Sequence, residues 1–243
     1  MIKFGKQVFK LQSVDSTNNF AAKLISEGLA DNGAVVLADF QTNGRGQRGN
    51  SWESESGLNL MASYILFPDN MALSEGIYLN WWVATALVKV LSNYHVHAKI
   101  KWPNDIFVGA KKIGGILIET TNHSAKIESV VLGLGINLNQ IVFQNNNATS
   151  LKLESGSQII ISEFASMISE ELTKSVKYLM ATEFLHNLYE SNMFLLNEIG
   201  EFKKEEATFQ AKILGVNESG KLKLGIDSEL RTYNHGELTW VLP

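Results

Sequence analysis

The chain has 243 residues, 45% of them apolar, enough for one large core and a small second unit. Its 21 lysines and arginines face 25 acidic residues, a formal net charge of −4, so it has no general attraction for nucleic acid or an anionic membrane and any anion site must be local. The absence of cysteine excludes disulfides and thiolate metal sites and gives no argument for secretion. The N-terminal MIKFGKQVFKLQ lacks the continuous apolar run of a signal peptide. IYLNWWVATALVKVL, the most apolar stretch, is broken by Asn80, Thr85 and Lys89 and is too polar to span a bilayer. A soluble cytoplasmic protein is the expectation.

In chain order, STNNFAAKLISEG (16–28) opens on an N-cap triplet, sets Phe20, Leu24 and Ile25 at helical spacing and stops at Gly28, which predicts a first helix. GAVVLADFQ (33–41) predicts a buried strand that delivers the chain into a loop rich in glycine and arginine. GLNLMASYIL (57–66) alternates and predicts another strand, and 75–94 predicts an amphipathic helix with Leu87, Val88 and Leu91 facing inward. AKIKWPNDIFV, KKIGGILIET and ESVVLGLGINLN predict three strand-like segments joined by tight turns. The asparagines at 145–147 mark a loop, and 159 to about 194 is helical again. Beyond that come short strands with turn punctuation, TFQAKILGV, KLKLGI, ELRTYN and ELTWVLP, with a glycine-containing turn at 217–220. These predict a small antiparallel barrel or sheet and a domain boundary near 195, giving units 1–194 and 195–243.

The chemistry concentrates in a few places. In FQTNGRGQRGNSWES, Arg45 and Arg48 alternate with Gly44, Gly46 and Gly49, the composition of an anion cradle, although plain surface loops share it. Lys99, Lys101, Lys111 and Lys112 face only Asp105, so this segment is locally positive. Those lysines are either solvated strand ends or, if Lys101 and Lys112 meet Arg45 across a cleft, a site for a polyphosphate or acyl-phosphate. In KWPNDI, Trp102 and Pro103 make a rigid turn that holds Asn104 and Asp105. Gly114, Gly115, Gly133 and Gly135 interrupt apolar strands, which often means that a ligand or a second backbone approaches closely. The pair His95 and His97 has no carboxylate or cysteine partner in the sequence that would make a zinc site.

In order, DSTN (15–18), QTNGRGQRGNSW (41–52), KWPND (101–105), KKIGGILIE (111–119) and GLGINLN (133–139) resemble the signature blocks of biotin protein ligases. The resemblance implies an α+β fold, a mixed, largely antiparallel sheet flanked by helices as in class II synthetases, with a small C-terminal SH3-like β domain. It implies a magnesium- and ATP-dependent reaction that forms biotinyl-5′-AMP and pyrophosphate, then moves biotin to a lysine of a carboxylase's biotin carboxyl-carrier domain.

Carried over position by position, Ser16, Thr17, Asn18, Gln41, Gly44, Arg45, Gly46, Gln47, Lys112, Gly114 and Gly115 would hold biotin. Arg48, Trp52, Lys101, Asn104, Gly133, Gly135 and Asn137 would hold the nucleotide, and magnesium would bind mainly through the phosphates. Arg45 and Lys112 would shield carboxylate from phosphate, and Asp105 would orient or deprotonate the attacking lysine. Gln47 and Asn50 stand where many relatives carry basic residues, so this loop holds less positive charge. The chain begins almost directly with the VDSTN block, which predicts no N-terminal helix-turn-helix and no DNA binding; a monomer and a homodimer are both compatible with the family. Two other readings are open: a lipoate or octanoate protein ligase, with the same adenylate chemistry, and a non-catalytic nucleotide-binding module. Trp52 could equally be core, and STN also reads as a helix N-cap.

Overall fold

The structure is a computed structural model and describes residues 2–227 and 229–242. Seven strands form the main sheet: β1 (Val8–Leu11), β2 (Val35–Ala38), β3 (Leu60–Leu66), β4 (Ala98–Lys101), β5 (Asp105–Val108), β6 (Lys111–His123) and β7 (Lys126–Ile136). Their order is β1-β2-β3-β7-β6-β5-β4, with β1 and β2 parallel and every other pair antiparallel. The long β6–β7 hairpin turns through Ser124 and Ala125, both at positive φ, the twist that a two-residue hairpin needs.

Both faces of the sheet are covered. Helix α1 (Thr17–Ser26) lies over β2, β3 and β7, where Ala21 and Leu24 close a small core with Val36, Ile65 and Val131. The opposite face carries α2 (Gly76–Ser92) and α4 (Ile161–Ser175), with α5 (Thr182–Ser191) packed on α2. Because strand side chains alternate, Leu60, Ala62, Tyr64 and Leu66 of β3 enter this larger core while Ser63 and Ile65 point to the α1 side.

Three local expectations are corrected. Helix α2 is not amphipathic: ten of its 17 residues are buried, Val90 takes an inward position and Val88 is only half-buried, because the sheet, α4 and α5 enclose the helix. AKIKWPNDIFV is two strands rather than one; Pro103 has no N–H to continue the ladder, and the chain reverses through Trp102–Asn104 with a cis peptide before Pro103. A short helix, α3 (Leu151–Ser155), follows the asparagine loop, with the Ser150 side chain accepting from Leu153 N and Gly156 left-handed at its end. Five residues are too few to show a helical period.

The last strands, β8 (Ile199–Lys204), β9 (Ala207–Val216), β10 (Leu222–Ile226), β11 (Glu229–Tyr233) and β12 (Thr239–Val241), form an antiparallel sheet in the order β11-β10-β9-β8-β12 around Phe202, Ile213, Leu222 and Leu224. This sheet is docked on the rest of the molecule: Trp102 Nε1 donates to Gly220 O at 2.9 Å, and Val216 N donates to Glu190 Oε1 of α5 at 2.8 Å. No helix among the described residues is long and apolar enough to cross a membrane.

Candidate active site

The site lies on the α1 face of the sheet, and the strand register assembles it. Ser63 of β3 pairs with Gly133 of β7, which pairs with Leu117 of β6; one step along, Gly135 pairs with Gly115, and Gly115 with Asp105 of β5. Glycine at alternate positions therefore cuts a trough into an otherwise filled sheet surface. Asn18 occupies the place a side chain would take at Gly133, and the Trp52 indole lies where one would stand at Gly135. Gly114 faces the opposite way, its missing side chain replaced by Ile136, so it serves packing.

One end of the cavity is polar and neutral. Gln41 Oε1 accepts from Thr17 N at 2.8 Å and from Thr17 Oγ1 at 3.0 Å, which leaves the Gln41 amide N–H groups free to donate. Ser63 Oγ lies 2.8 Å from Thr17 Oγ1 and donates to Asn18 Oδ1 at 2.6 Å, and Asn18 Nδ2 donates to Glu119 Oε2 at 2.6 Å. Ser16 occupies the N-cap position of α1, yet its side chain makes no cap bond and is buried in the cavity lining. The STN triplet thus starts the helix by its backbone and gives its side chains to the site.

The other end is charged. Arg45 Nη2 bonds Glu119 Oε2 at 3.0 Å and Asn19 Oδ1 at 2.7 Å. Asn19 also donates to Asp15, and that hydrogen bond holds the Asp15 carboxyl below its usual range. Lys112 Nζ stands 2.6 Å from Asp105 Oδ1, and Lys101 Nζ 3.8 Å from Asp105 Oδ2. Burial pushes the Lys101 ammonium down, Asp105 opposes the shift and Lys112 adds to it. Lys112 Nζ also sits 5.6 Å from the Trp52 ring centroid. With Arg48, four cations accompany two carboxylates, Asp105 and Glu119, which leaves this end of the cavity with an excess of positive charge in an acidic chain.

Two buried polar atoms in the lining, Gln47 Oε1 and Trp52 Nε1, have no partner among the described residues. Each such group costs about 1–3 kcal/mol unless something else bonds it. Trp52 is half-buried on Gly135 and is not core.

Of the residues singled out from sequence, Ser16, Thr17, Asn18, Gln41, Arg45, Gly46, Gln47, Arg48, Trp52, Asn104, Asp105, Lys112, Gly115, Gly133 and Gly135 line this cavity. Lys101 stands behind Asp105, and Gly44 packs under Trp52. Asn104 lines the wall and pins the 102–104 turn, donating to Ile116 O at 2.6 Å. Asn137 Nδ2 bonds Thr149 O, whose backbone N–H holds Lys112 O, so Asn137 supports Lys112 from behind. Lys99 reaches Ser191 O and Lys111 is exposed; neither enters the site. Sequence reasoning did not find Ser63, Asn19, Glu119 or His235. Glu119 closes a recognised block, but Ser63 and His235 carry no local signal and become site residues only through sheet register and the docking of the C-terminal sheet.

The fold and site define a class: proteins with a seven-stranded mixed sheet whose helix-covered face holds a cavity that is polar at one end and lined by arginine and lysine at the other. The chain belongs to the biotin/lipoate A/B protein ligase family, which it matches over residues 9–137. It is 32% identical over 231 residues to the bifunctional ligase/repressor BirA of Bacillus spizizenii, covering 90% of this chain and 70% of that protein. It is 37% identical over 131 residues to the biotin–[acetyl-CoA-carboxylase] ligase of Paracoccus denitrificans, covering 53% of each chain. Among solved structures, the biotin protein ligase of Aquifex aeolicus in complex with biotin and ATP superposes with a TM-score of 0.77 at 26% identity, over 98% of this chain and 100% of that one.

Proposed function

We propose that this protein is a biotin–protein ligase: it condenses biotin with ATP to biotinyl-5′-AMP and pyrophosphate, then transfers biotin to a lysine of a carboxylase's carrier domain. The observation that carries the reading is the two-ended cavity, neutral at Ser16, Thr17, Asn18 and Gln41, with Ser63 bracing Thr17 and Asn18 from behind, and cationic at Arg45 and Lys112. A ureido ring, with N–H donors and one carbonyl acceptor, suits the first end, and a carboxylate meeting a phosphate suits the second. The Paracoccus ligase and the Aquifex structure named above bear names that specify biotin, which favours it over lipoate.

Biotin's carboxylate is ionised at neutral pH, so the first step needs no base; it needs two anions brought together. Arg45 and Lys112 shield the carboxylate from the α-phosphate while its oxygen attacks phosphorus and pyrophosphate leaves. Glu119 joins the two ends: it holds Asn18 by one hydrogen bond and Arg45 by another, so the reading of the ring and the placing of the guanidinium are coupled. In the free protein Asp105 is engaged by Lys112 at 2.6 Å. When the adenylate draws Lys112 away, an Asp105 oxygen becomes available to take the proton of the carrier lysine, whose amine attacks the acyl carbon as AMP leaves. The magnesium that such a reaction uses would be held mainly through the phosphates and would supply charge neutralisation there.

We place the domain boundary near 195, just before β8, with the C-terminal sheet as the SH3-like unit. A cytoplasmic setting agrees with the lack of cysteine and with the use of ATP. The test is pyrophosphate release from ATP and Mg²⁺ with biotin, lipoate or no acid. Biotin-dependent release supports the reading, lipoate-dependent release transfers it to the other branch of the family, and binding of ATP without release under any condition leaves a non-catalytic module.

A further inference from the structure

One residue in the cavity lining comes from the C-terminal sheet: His235, in the turn between β11 and β12. That turn is tightly built. Asn234 N and Nδ2 donate to the two Glu237 carboxylate oxygens at 2.8 and 2.9 Å, and Glu237 N donates back to Asn234 O at 3.1 Å. Arg48 reaches it from the Gly/Arg loop, donating from Nη2 to His235 O. Its guanidinium fills the space that a side chain at residue 236 would occupy, and Gly236 itself has φ of +85°. Glycine is thus required there twice, by backbone conformation and by the arginine. Arg48 also lies in the left-handed region, φ 57°, a conformation a non-glycine residue keeps only where its surroundings hold it.

The His235 imidazole meets Trp102 edge-on, ring centroids 5.8 Å apart. It stands at the cationic end of the cavity: the charges that act on it are Arg48 of the loop, Lys101 of β4 and Asp105 of β5. Burial first, then Arg48 and Lys101, push its protonation down while Asp105 opposes them, so without a ligand the ring is a neutral group beside cations. A phosphate arriving among these cations would reverse that balance.

We propose that the 234–237 turn is the phosphate-side wall of the adenylation site, with Arg48 the positioning residue that fastens it and His235 the group that donates an imidazole N–H to the nucleotide's phosphates. Arg48 then acts through the turn as well as by its charge. This rests on the ligase reading above.

The test compares wild type with His235→Ala, His235→Gln and Arg48→Ala, measuring KM for ATP and for biotin in pyrophosphate release, with biotin and ATP binding measured separately by equilibrium dialysis. Loss of one charge-assisted hydrogen bond predicts a rise of about tenfold in KM for ATP in His235→Ala and Arg48→Ala, partial recovery in His235→Gln, and biotin binding within about twofold of wild type. The double variant His235→Ala/Arg48→Ala is expected to be little worse than either single one, since both remove the same contact. Unchanged KM for ATP in both single variants, with biotin-dependent release intact, overturns the proposal. If wild type releases no pyrophosphate with biotin, the ligase reading fails instead, and the dialysis still decides the wall: weaker ATP binding in the variants supports it and equal binding removes it.

Discussion

Gly135→Ala is the most exacting test of how the trough is built. A Cβ at this position would stand 2.5 Å from Trp52 Cε2 and 2.8 Å from Cδ2 and Cζ2. Ordinary carbon contacts are about 3.5 Å or more, so the indole must retreat by about 1 Å or leave the strand altogether. The strand itself accepts alanine, because Gly135 is not among the positive-φ glycines. The loss is therefore confined to the 40–54 loop, which Trp52 anchors to the sheet. An indole buries roughly 200 Å² when fully covered; half of that at about 25 cal/mol per Å² is worth about 2.5 kcal/mol, or about 60-fold in the docking equilibrium of the loop. Equilibrium dialysis with ATP and biotin together should show a loss of up to about that factor, with the melting temperature nearly unchanged. Fluorine NMR of a fluorotryptophan-labelled protein should show one of the five tryptophans shifted. Affinity within about threefold of wild type, with that resonance unmoved, would refute the packing argument.

Gly133→Ala should act on the opposite end: its Cβ would stand 2.3 Å from Asn18 Oδ1, and displacing Asn18 frees both Ser63 and Glu119, so biotin binding should fall more than ATP binding does, as read by dialysis of each alone. Arg45→Ala is expected to cut adenylate formation by about 100-fold or more with the fold intact by circular dichroism, since a lost oxyanion-type contact costs about 3 kcal/mol; unchanged turnover would remove Arg45 from the mechanism. His235 should titrate by NMR below the ordinary histidine value, and Arg48→Ala should move it upward, because burial and then Arg48 depress it. The sign for stability follows: the unfolded chain takes the proton more readily, so the contribution of neutral His235 is present above the unfolded histidine pKa of about 6.5 and is lost as pH falls through that value toward the lower folded one. A resonance that titrates at or above the ordinary value would contradict this account.

Much of the site was legible because its residues sit in short blocks whose chemistry is local. The loop around Arg45, the turn around Asp105 and the glycines of β6 and β7 each carry a composition with a physical meaning, and the resemblance joins them. What stayed hidden depends on register and docking. Nothing near Ser63 marks it, since its role comes from pairing with Gly133 across two strands. His235 lies 187 residues from Arg48 in sequence. Gly114 and Gly115 look alike in sequence, yet strand alternation turns one into the Ile136 side of the core and the other toward Lys112. The burial of α2 was missed for a related reason: a helix enclosed on most sides has no strong polar face for periodicity to reveal. Lys101 shows the limit of charge counting, for a lysine in a basic run proved to be shielded beside Trp240 and Phe107 rather than solvated.

The central claim is that the two-ended cavity makes an acyl-adenylate and hands its acyl group to a lysine. Its most direct test is intact-mass spectrometry of a biotin carboxyl-carrier domain incubated with the protein, ATP, Mg²⁺ and biotin, beside a carrier whose acceptor lysine is replaced by arginine and beside the Arg45→Ala enzyme. The account predicts one biotinyl addition on the native carrier, none on the lysine-less carrier, and strongly slowed addition with Arg45→Ala. A carrier mass that stays unchanged although the enzyme binds biotin and ATP would contradict it.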